Sequence, residues 1–439
     1  MKLKIIACFI FLFTAFISVT KAQNPPLLTL KDAVEIALQN NYNIKITQNT
    51  STIAKNNVTL GNAGFLPSVN ANFSSTNSIQ NTNLTRADGS STSFTNAKNT
   101  NISRGVTLNW TIFDGFAMFA NYDQLKEQNK LGELFVRDTI VRTVSNVVAT
   151  YYNLVNQNEV LNSLKGAMRI SKTQLRYAND KFAVGAVSRL EVLNAEVNVN
   201  TDTANYVRQL QQFKNTKIQF NQLLVRDLQT DFTVADTIIV DDKIVLADIL
   251  NNAASQNPAI LAAQINERLA EINLRQIKST RYPQIGVTTG YNFSNSRSPS
   301  GFAQRQNAQG LNYGLTATIN IFDGFNQNRL EKNAKIQIDN SKLAFERAKL
   351  NIQTQINTLY TNYLSGLELT RLGKINVEVA RRNLEITLDK YRLGNITTLE
   401  VRQAEENHVN AQVNYFAAQY QSKIAEITLK QITNNINIQ

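Results

Sequence analysis

The sequence predicts an α+β membrane protein built by tandem duplication, each copy supplying a β-hairpin and a very long helical hairpin. Three observations carry this prediction. Ile112-Phe113-Asp114-Gly115-Phe116 returns as Ile321-Phe322-Asp323-Gly324-Phe325, an offset of 209 residues. The same offset relates Lys181-Phe182 and Gly185 to Lys390-Tyr391 and Gly394, and Leu190-Glu191-Val192 with Ala195-Glu196 to Leu399-Glu400-Val401 with Ala404-Glu405. Marks that keep one register identify a repeat. Finally, each pentapeptide marks a change of hydrophobic period from two to that of a helix.

The elements follow in order. Residues 1–22 read as a secretory signal peptide: Lys2 and Lys4, an apolar core from Ile5 to Val19, then Thr20-Lys21-Ala22. Ile5-Ile6-Ala7-Cys8 resembles a lipoprotein cleavage site but comes too early for one, so no lipidation is expected at Cys8. Cleavage after Ala22 removes the single cysteine, and with it disulfide and thiol chemistry. The first repeat covers 23–243. Thr29 is placed to cap a helix that carries Asp32 in its first turn and is expected to reach about Leu60. A β-hairpin over about 65–113 follows, with Val69, Ala71 and Phe73 alternating on one strand and Val106, Leu108, Trp110 and Ile112 on the other. The Ser/Thr/Asn-rich stretch 76–103 reads as a polar loop between two strands of about ten residues.

Asp114 and Asp323 stand at the strand-to-helix corners. There a carboxylate caps free N–H groups and suits the positive end of a helix. Phe116 to Ala183 is 68 residues without proline, about 100 Å as a helix. Val141, Val144, Val148, Tyr151 and Val155 carry coiled-coil spacing. Gly185 suits the left-handed turn to the returning helix, which starts near Ser188 and ends near Leu224, closing a helical hairpin over 116–224. Residues 225–243 are a linker with five aspartates.

The second repeat, 244–439, restates the plan. Two helices split at Pro258, a β-hairpin spans about 284–322, and a helical hairpin spans 325–433 with its turn at Gly394 and restart at Thr397. All six prolines fall outside the long helices, as an interior penalty of about 3 kcal/mol selects.

Composition excludes much. The formal charge of +12 falls to +9 without Lys2, Lys4 and Lys21. The cations are scattered among Asn, Gln and Glu, and no nucleic-acid recognition motif accompanies them. A lone His408, no cysteine after residue 8, and no phosphate-binding, zinc-protease or serine-hydrolase motif give no basis for an enzyme, a cofactor or a metal site. No run of about 18 apolar residues forms a spanning helix.

The strands, however, have the length and alternation of membrane-crossing strands. Four strands cannot close a barrel, and an open edge in lipid leaves backbone groups unpaired at several kcal/mol each. Three chains supply twelve strands. The simplest object is a trimeric 12-stranded outer-membrane β-barrel, one third from each chain, continued by a tube of packed helices. The alternative, a secreted soluble coiled-coil structural or adhesion protein, explains the helices but not the two apolar hairpin faces.

At this point the chain resembles the TolC-like outer-membrane efflux protein family over essentially all of its mature length. The residues that carry the resemblance are Leu28–Val34 with Ala37-Leu38 and Asn40-Asn41, both Ile-Phe-Asp-Gly motifs, Phe65-Leu66-Pro67, and the turns Lys181–Gly185 and Lys390–Gly394. The resemblance implies a homotrimer in the outer membrane of a Gram-negative bacterium, embedded in its lipid and extending through the periplasm as an α-helical barrel. It implies a passive exit duct that docks a periplasmic adaptor and an inner-membrane transporter, for efflux or type I secretion. The turn residues Gly185, Ser188, Gly394 and Thr397 become the adaptor-docking tips. Glu400 and Glu191 fall where acidic side chains line the periplasmic constriction, and rings of them would attract cations. The chain departs from the pattern at Gln403, where a second acid could stand, and at Ile396, where an arginine could latch the gate. Phe182 and Tyr391 are placed to brace the turns. Three methionines and one histidine speak against metal export, and the cargo is otherwise open.

Overall fold

A computed structural model describes residues 25–235, 237–301 and 303–434. The expected signal peptide and Cys8 lie outside them. The elements are α1 (Leu30–Asn40), α2 (Tyr42–Asn56), α3 (Leu60–Ala63), β1 (Ser68–Thr85), β2 (Ser91–Asp114), α4 (Ala117–Ala183), α5 (Arg189–Leu224), α6 (Leu246–Gln256), α7 (Pro258–Ser279), β3 (Gln284–Arg297), β4 (Arg305–Thr318), α8 (Asn326–Arg392) and α9 (Thr398–Ile432). The two repeats are not the compact units. One unit takes residues 46–138 and 254–351, the other the remainder, so each draws on both copies.

The first unit holds one antiparallel sheet of order β1-β2-β3-β4. Its register aligns the apolar alternation of all four strands. Val69 faces Leu108, Leu108 faces Thr289, and Thr289 faces Tyr313; the next row is Ala71, Val106, Tyr291, Leu311. Because paired residues share a face, these rows make one continuous apolar surface. Asn70, Thr107, Gly290 and Asn312 form a row on the other face. Among the described residues the apolar rows stay largely open: Val69, Val106, Trp110, Tyr291, Leu311 and Leu315 are exposed, and Tyr313 is 82% exposed.

The strands are longer than the sequence reading allowed, at 18, 24, 14 and 14 residues. The expected polar loop 76–103 is mostly paired strand, and the turn is only Arg86–Ser90. Ladder hydrogen bonds need no apolar face, and threonine favours the pleated backbone. The true turn lies in Asp88-Gly89, where Asp88 Oδ1 accepts from Ser90 N at 2.9 Å and Gly89 takes φ 84°. The expected single helix from Leu28 to Leu60 is also broken. Asn41 ends α1 and starts α2, its Oδ1 accepting from the Asn43 and Ile44 amides at 2.9 and 3.4 Å. A side chain that satisfies free helix donors makes a new start of that position.

In the second unit, one buried cluster joins Val144, Val147, Val148, Tyr151, Leu154 and Val155 of α4 to Phe213, Phe220 and Leu224 of α5 and to Ala33, Val34 and Ala37 of α1. Its counterpart joins Ile356 and Tyr363 of α8 to Leu429 and Ile432 of α9 and Ala253 of α6. The linker is sewn onto these cores. Leu28 N donates to Thr233 O at 2.9 Å, Ala235 N donates to the Tyr151 hydroxyl at 3.1 Å, and the Tyr363 hydroxyl donates to Asp241 O.

Candidate functional site

The two helix-to-helix turns are built alike. Gly185 and Gly394 take φ 71° and 81°. Ala186 N donates to Lys181 O at 2.9 Å and Asn395 N to Lys390 O at 3.1 Å, each closing the last helical turn. A left-handed residue just past a helix end permits this closure, and glycine adopts it without a Cβ penalty.

The structure brings the two turns together. Lys181 Nζ lies 4.3 Å from the centroid of the Tyr391 ring and donates to Tyr391 O at 3.0 Å. Tyr391 is buried, and burial followed by the Glu191 charge raises its pKa. Phe182, its counterpart, is exposed, with the Arg189 guanidinium 5.8 Å from its ring centroid. Glu191 Oε2 accepts from the Thr398 hydroxyl, tying the start of α5 to the start of α9.

The equivalent acids are therefore used differently. Glu191 reaches across to the second copy. Glu400 folds back on its own helix start, accepting from Thr397 N at 3.4 Å and from the Thr397 hydroxyl at 3.3 Å. Ser188 occupies the matching cap position of α5 without a side-chain bond. Gln403 is exposed and donates to Asn407 at 3.0 Å.

Two turns along α9 lies a polar cluster that sequence reasoning missed. Arg402 Nη1 holds Asp202 of α5 at 2.7 and 2.9 Å, and Arg402 Nε holds Glu406 at 2.7 Å. Glu405 is 1% exposed, and Gln174 Nε2 of α4 donates to its Oε2 at 3.4 Å. Burial, then the Asp202 charge, pushes the Glu405 carboxyl up to about 8. Arg402 is raised despite burial, through its bond to Asp202. The signal that could have found the cluster is a departure from the repeat: the counterpart of Glu405 is the exposed Glu196, and that of Asp202 is Ala411.

The strand-to-helix corners make a second site. Asp323 Oδ2 accepts from Gln327 N at 2.7 Å in the first turn of α8. Asp114 does not cap α4, contrary to expectation. It pairs with Gln284 as the last residue of β2, and its Oδ1 is buried with no hydrogen-bond partner. A bulge at Ile112, where the ladder steps from Thr111 to Phe113, changes how the strand arrives at the corner. The corners are otherwise congruent. Gly115 and Gly324 take φ 70° and 68°, the following Phe116 and Phe325 take 71° and 64°, and Phe113–Phe116 and Phe322–Phe325 meet edge to face at 5.1 and 5.4 Å. Their surroundings differ. A Cβ on Gly115 would meet Ser279 O at 2.1 Å, whereas one on Gly324 would meet nothing within 4 Å. The first corner is covered by the segment that leads into β3, and among the described residues none lies within 4 Å of a Cβ built at the second.

A model of the family described as "Outer membrane efflux protein" matches residues 33–225 and 249–435. Outer membrane protein TolC of Escherichia coli is 22% identical over 305 residues, which are 67% of this chain and 62% of that protein, less than two thirds of its length. Outer membrane efflux protein BepC of Brucella suis is 19% identical over 410 residues, 93% of this chain and 86% of that protein. The structure of the Campylobacter jejuni CmeC outer membrane channel superposes with TM-score 0.77 at 19% identity, covering 92% of this chain and 85% of that one.

Proposed function

This chain belongs to the outer membrane efflux protein family, and from that premise we propose that it is one third of a homotrimeric exit duct, closed by twelve strands in the outer membrane and continued by helices into the periplasm. The observation that carries the reading is the apolar face. It runs across four strands in the row Ala71, Val106, Tyr291 and Leu311, is largely exposed in the single chain, and ends at two unpaired edges, β1 and β4. Exposed apolar patches of this kind mark an interaction surface, and lipid together with two further copies covers both face and edges. The uncovered Gly324 corner supports the same assembly, because in it the Ala63–Leu66 segment of a next copy would stand where Ser279–Tyr282 stands for Gly115. So does α8, whose Leu372, Val379 and Ile386 form an exposed ridge at heptad spacing.

In this reading the protein is a conduit and not an enzyme. The paired turns at Gly185–Ser188 and Gly394–Thr397 form the periplasmic mouth and the docking tips for an adaptor, and an inner-membrane transporter supplies the energy. Glu191 and Glu400 make the mouth cation-selective. Type I secretion and small-molecule efflux both fit, because the adaptor and the inner-membrane transporter choose the cargo. The test is the native mass of protein extracted in detergent from outer membranes, followed by conductance in planar bilayers. A trimer whose preference for cations falls in Glu400→Gln supports the reading. A soluble monomer removes the duct, and unchanged selectivity in a conducting trimer removes Glu400 from the mouth.

A further inference from the structure

The cluster at Asp202, Arg402, Glu405 and Gln174 goes beyond this reading, because nothing in a passive duct requires a carboxyl buried among three helices. Glu405 and Gln174 are 1% and 2% exposed, and Asp202 is 4% exposed. Two oxygens there, Glu405 Oε1 and Gln174 Oε1, are buried without any hydrogen-bond donor. An unsatisfied pair of this kind is costly, and one added proton supplies one of the two missing donors. With the Gln174 amide turned over, an orientation set by hydrogen bonding alone, a protonated Glu405 donates to the Gln174 oxygen across the same 3.4 Å.

Charge bookkeeping agrees. Arg402 binds Asp202 at 2.7 Å and Glu406 at 2.7 Å but stands 3.9 Å from Glu405. Arg402, with its side chain 16% exposed, is thus matched by the buried Asp202, while Glu406 is half in solvent. The groups that act on Glu405 are Asp202 of α5, Gln174 of α4, and Arg402 and Glu406 of α9 itself. Arg381 and Glu385 of α8 act on His408, one turn along α9. Among the described groups that act on Glu405, Arg402 is the only cation.

We propose that these four residues form a proton-operated clasp. With Glu405 uncharged, α4, α5 and α9 are held together two turns above the Gly394–Thr397 turn. When Glu405 gives up its proton to solvent, the buried site carries one unbalanced negative charge and the three helices separate locally. The sign follows from the raised carboxyl. The clasp is closed at acid and neutral pH and opens as pH rises through about 8.

The experiment is an infrared titration of the detergent-extracted protein, with wild type compared with Glu405→Gln. It is paired with amide exchange of α9, corrected for the intrinsic pH dependence of exchange. Neither readout depends on conduction, so failure here leaves the duct reading untouched. The expected result is the carbonyl stretch of one un-ionised carboxylic acid in neutral buffer. It should be absent in Glu405→Gln and lost in wild type near pH 8, as α9 exchange rises by up to about tenfold per pH unit. Glu405→Gln keeps α9 protected throughout. Should that variant fail to assemble, Asp202→Asn serves instead: it frees Arg402 for Glu405 and moves the carbonyl titration to lower pH. A carbonyl band that disappears in the ordinary carboxylate range, equal pH dependence of α9 exchange in Glu405→Gln, or an unmoved titration in Asp202→Asn overturns the proposal.

Discussion

Replacing Gly115 by alanine tests the strand-to-helix corner most directly. Its φ of 70° is left-handed, which costs a residue with a Cβ about 1–2 kcal/mol. The new methyl would also stand 2.1 Å from Ser279 O and 2.9 Å from Tyr282 Cβ. Relief must come from backbone, so the full overpacking cost of about 1–3 kcal/mol applies. Together Gly115→Ala should lose about 2–5 kcal/mol, the sum of the left-handed and overpacking terms. The same change at Gly324 meets open space within one chain and should cost only the left-handed part, about 1–2 kcal/mol. If a neighbouring copy covers that corner, Gly324→Ala rises to match Gly115→Ala. The assay is denaturant unfolding of the detergent-extracted protein followed by the emission of Trp110, the one tryptophan in the chain, whose indole N–H donates to Phe65 O at 2.9 Å close by. A Gly115→Ala protein within about 0.5 kcal/mol of wild type, the range of an inconsequential surface change, would refute the reasoning.

Other predictions concern the linker. Tyr363→Phe removes the hydroxyl bond to Asp241 O from a side chain that is 1% exposed and whose phenol burial pushes up to about 12. It should destabilise the protein by about 1 kcal/mol in the same unfolding assay, and a stability equal to wild type would discount the bond. The Asp231 carboxyl is held below its usual range by its bond to Lys217, and that of Asp241 by the Lys243 amide and then Lys430. A depressed carboxylate contributes stability that is present above its unfolded value, 3.8 here, and lost as pH falls through the folded value. Corrected amide exchange of residues 225–243 should therefore stay flat between about pH 8 and pH 5 and rise only below about pH 4, in the window set by those carboxyls. Loosening already near pH 6 would count against both bonds.

What was legible in the sequence was whatever depends on local backbone chemistry. Proline-free runs, Asp-Gly corners and glycine turns each announce themselves within a few residues, and the duplication confirmed each one twice. What stayed hidden depends on partners far away in the chain. The strand over 76–103 has no apolar alternation of its own, and only its pairing makes it a strand. The break at Asn41 turns on one amide side chain choosing the backbone behind it. Glu405 and Asp202 lie 203 residues apart, the repeat matches Glu405 to an exposed Glu196 and Asp202 to Ala411, and so the repeat that organised everything else did not mark them as a pair. Asp114 failed as a cap for a related reason: identical pentapeptides sit in different surroundings, and the bulge at Ile112 belongs to pairing with β3.

The unequal hairpins have a consequence at the cell surface. Thr100 is the last residue of β2 paired to β3, opposite Arg297. From there β1 and β2 continue alone to the turn at Asp88-Gly89, through Ser91 to Asn99. At about 3.4 Å per residue that is roughly 30 Å of ribbon. Its letters are mostly Ser, Thr and Asn, with Lys98 the one charge and Phe94, Ala97, Ile79 and Leu84 the apolar residues between Ser78 and Thr85 and between Ser91 and Asn99. In a three-chain ring such ribbons would rise as three hydrated staves between three short ones. The face shown to the surroundings would be a crenellated, nearly uncharged fringe, and phages, antibodies and neighbouring cells would meet that fringe before they met the pore.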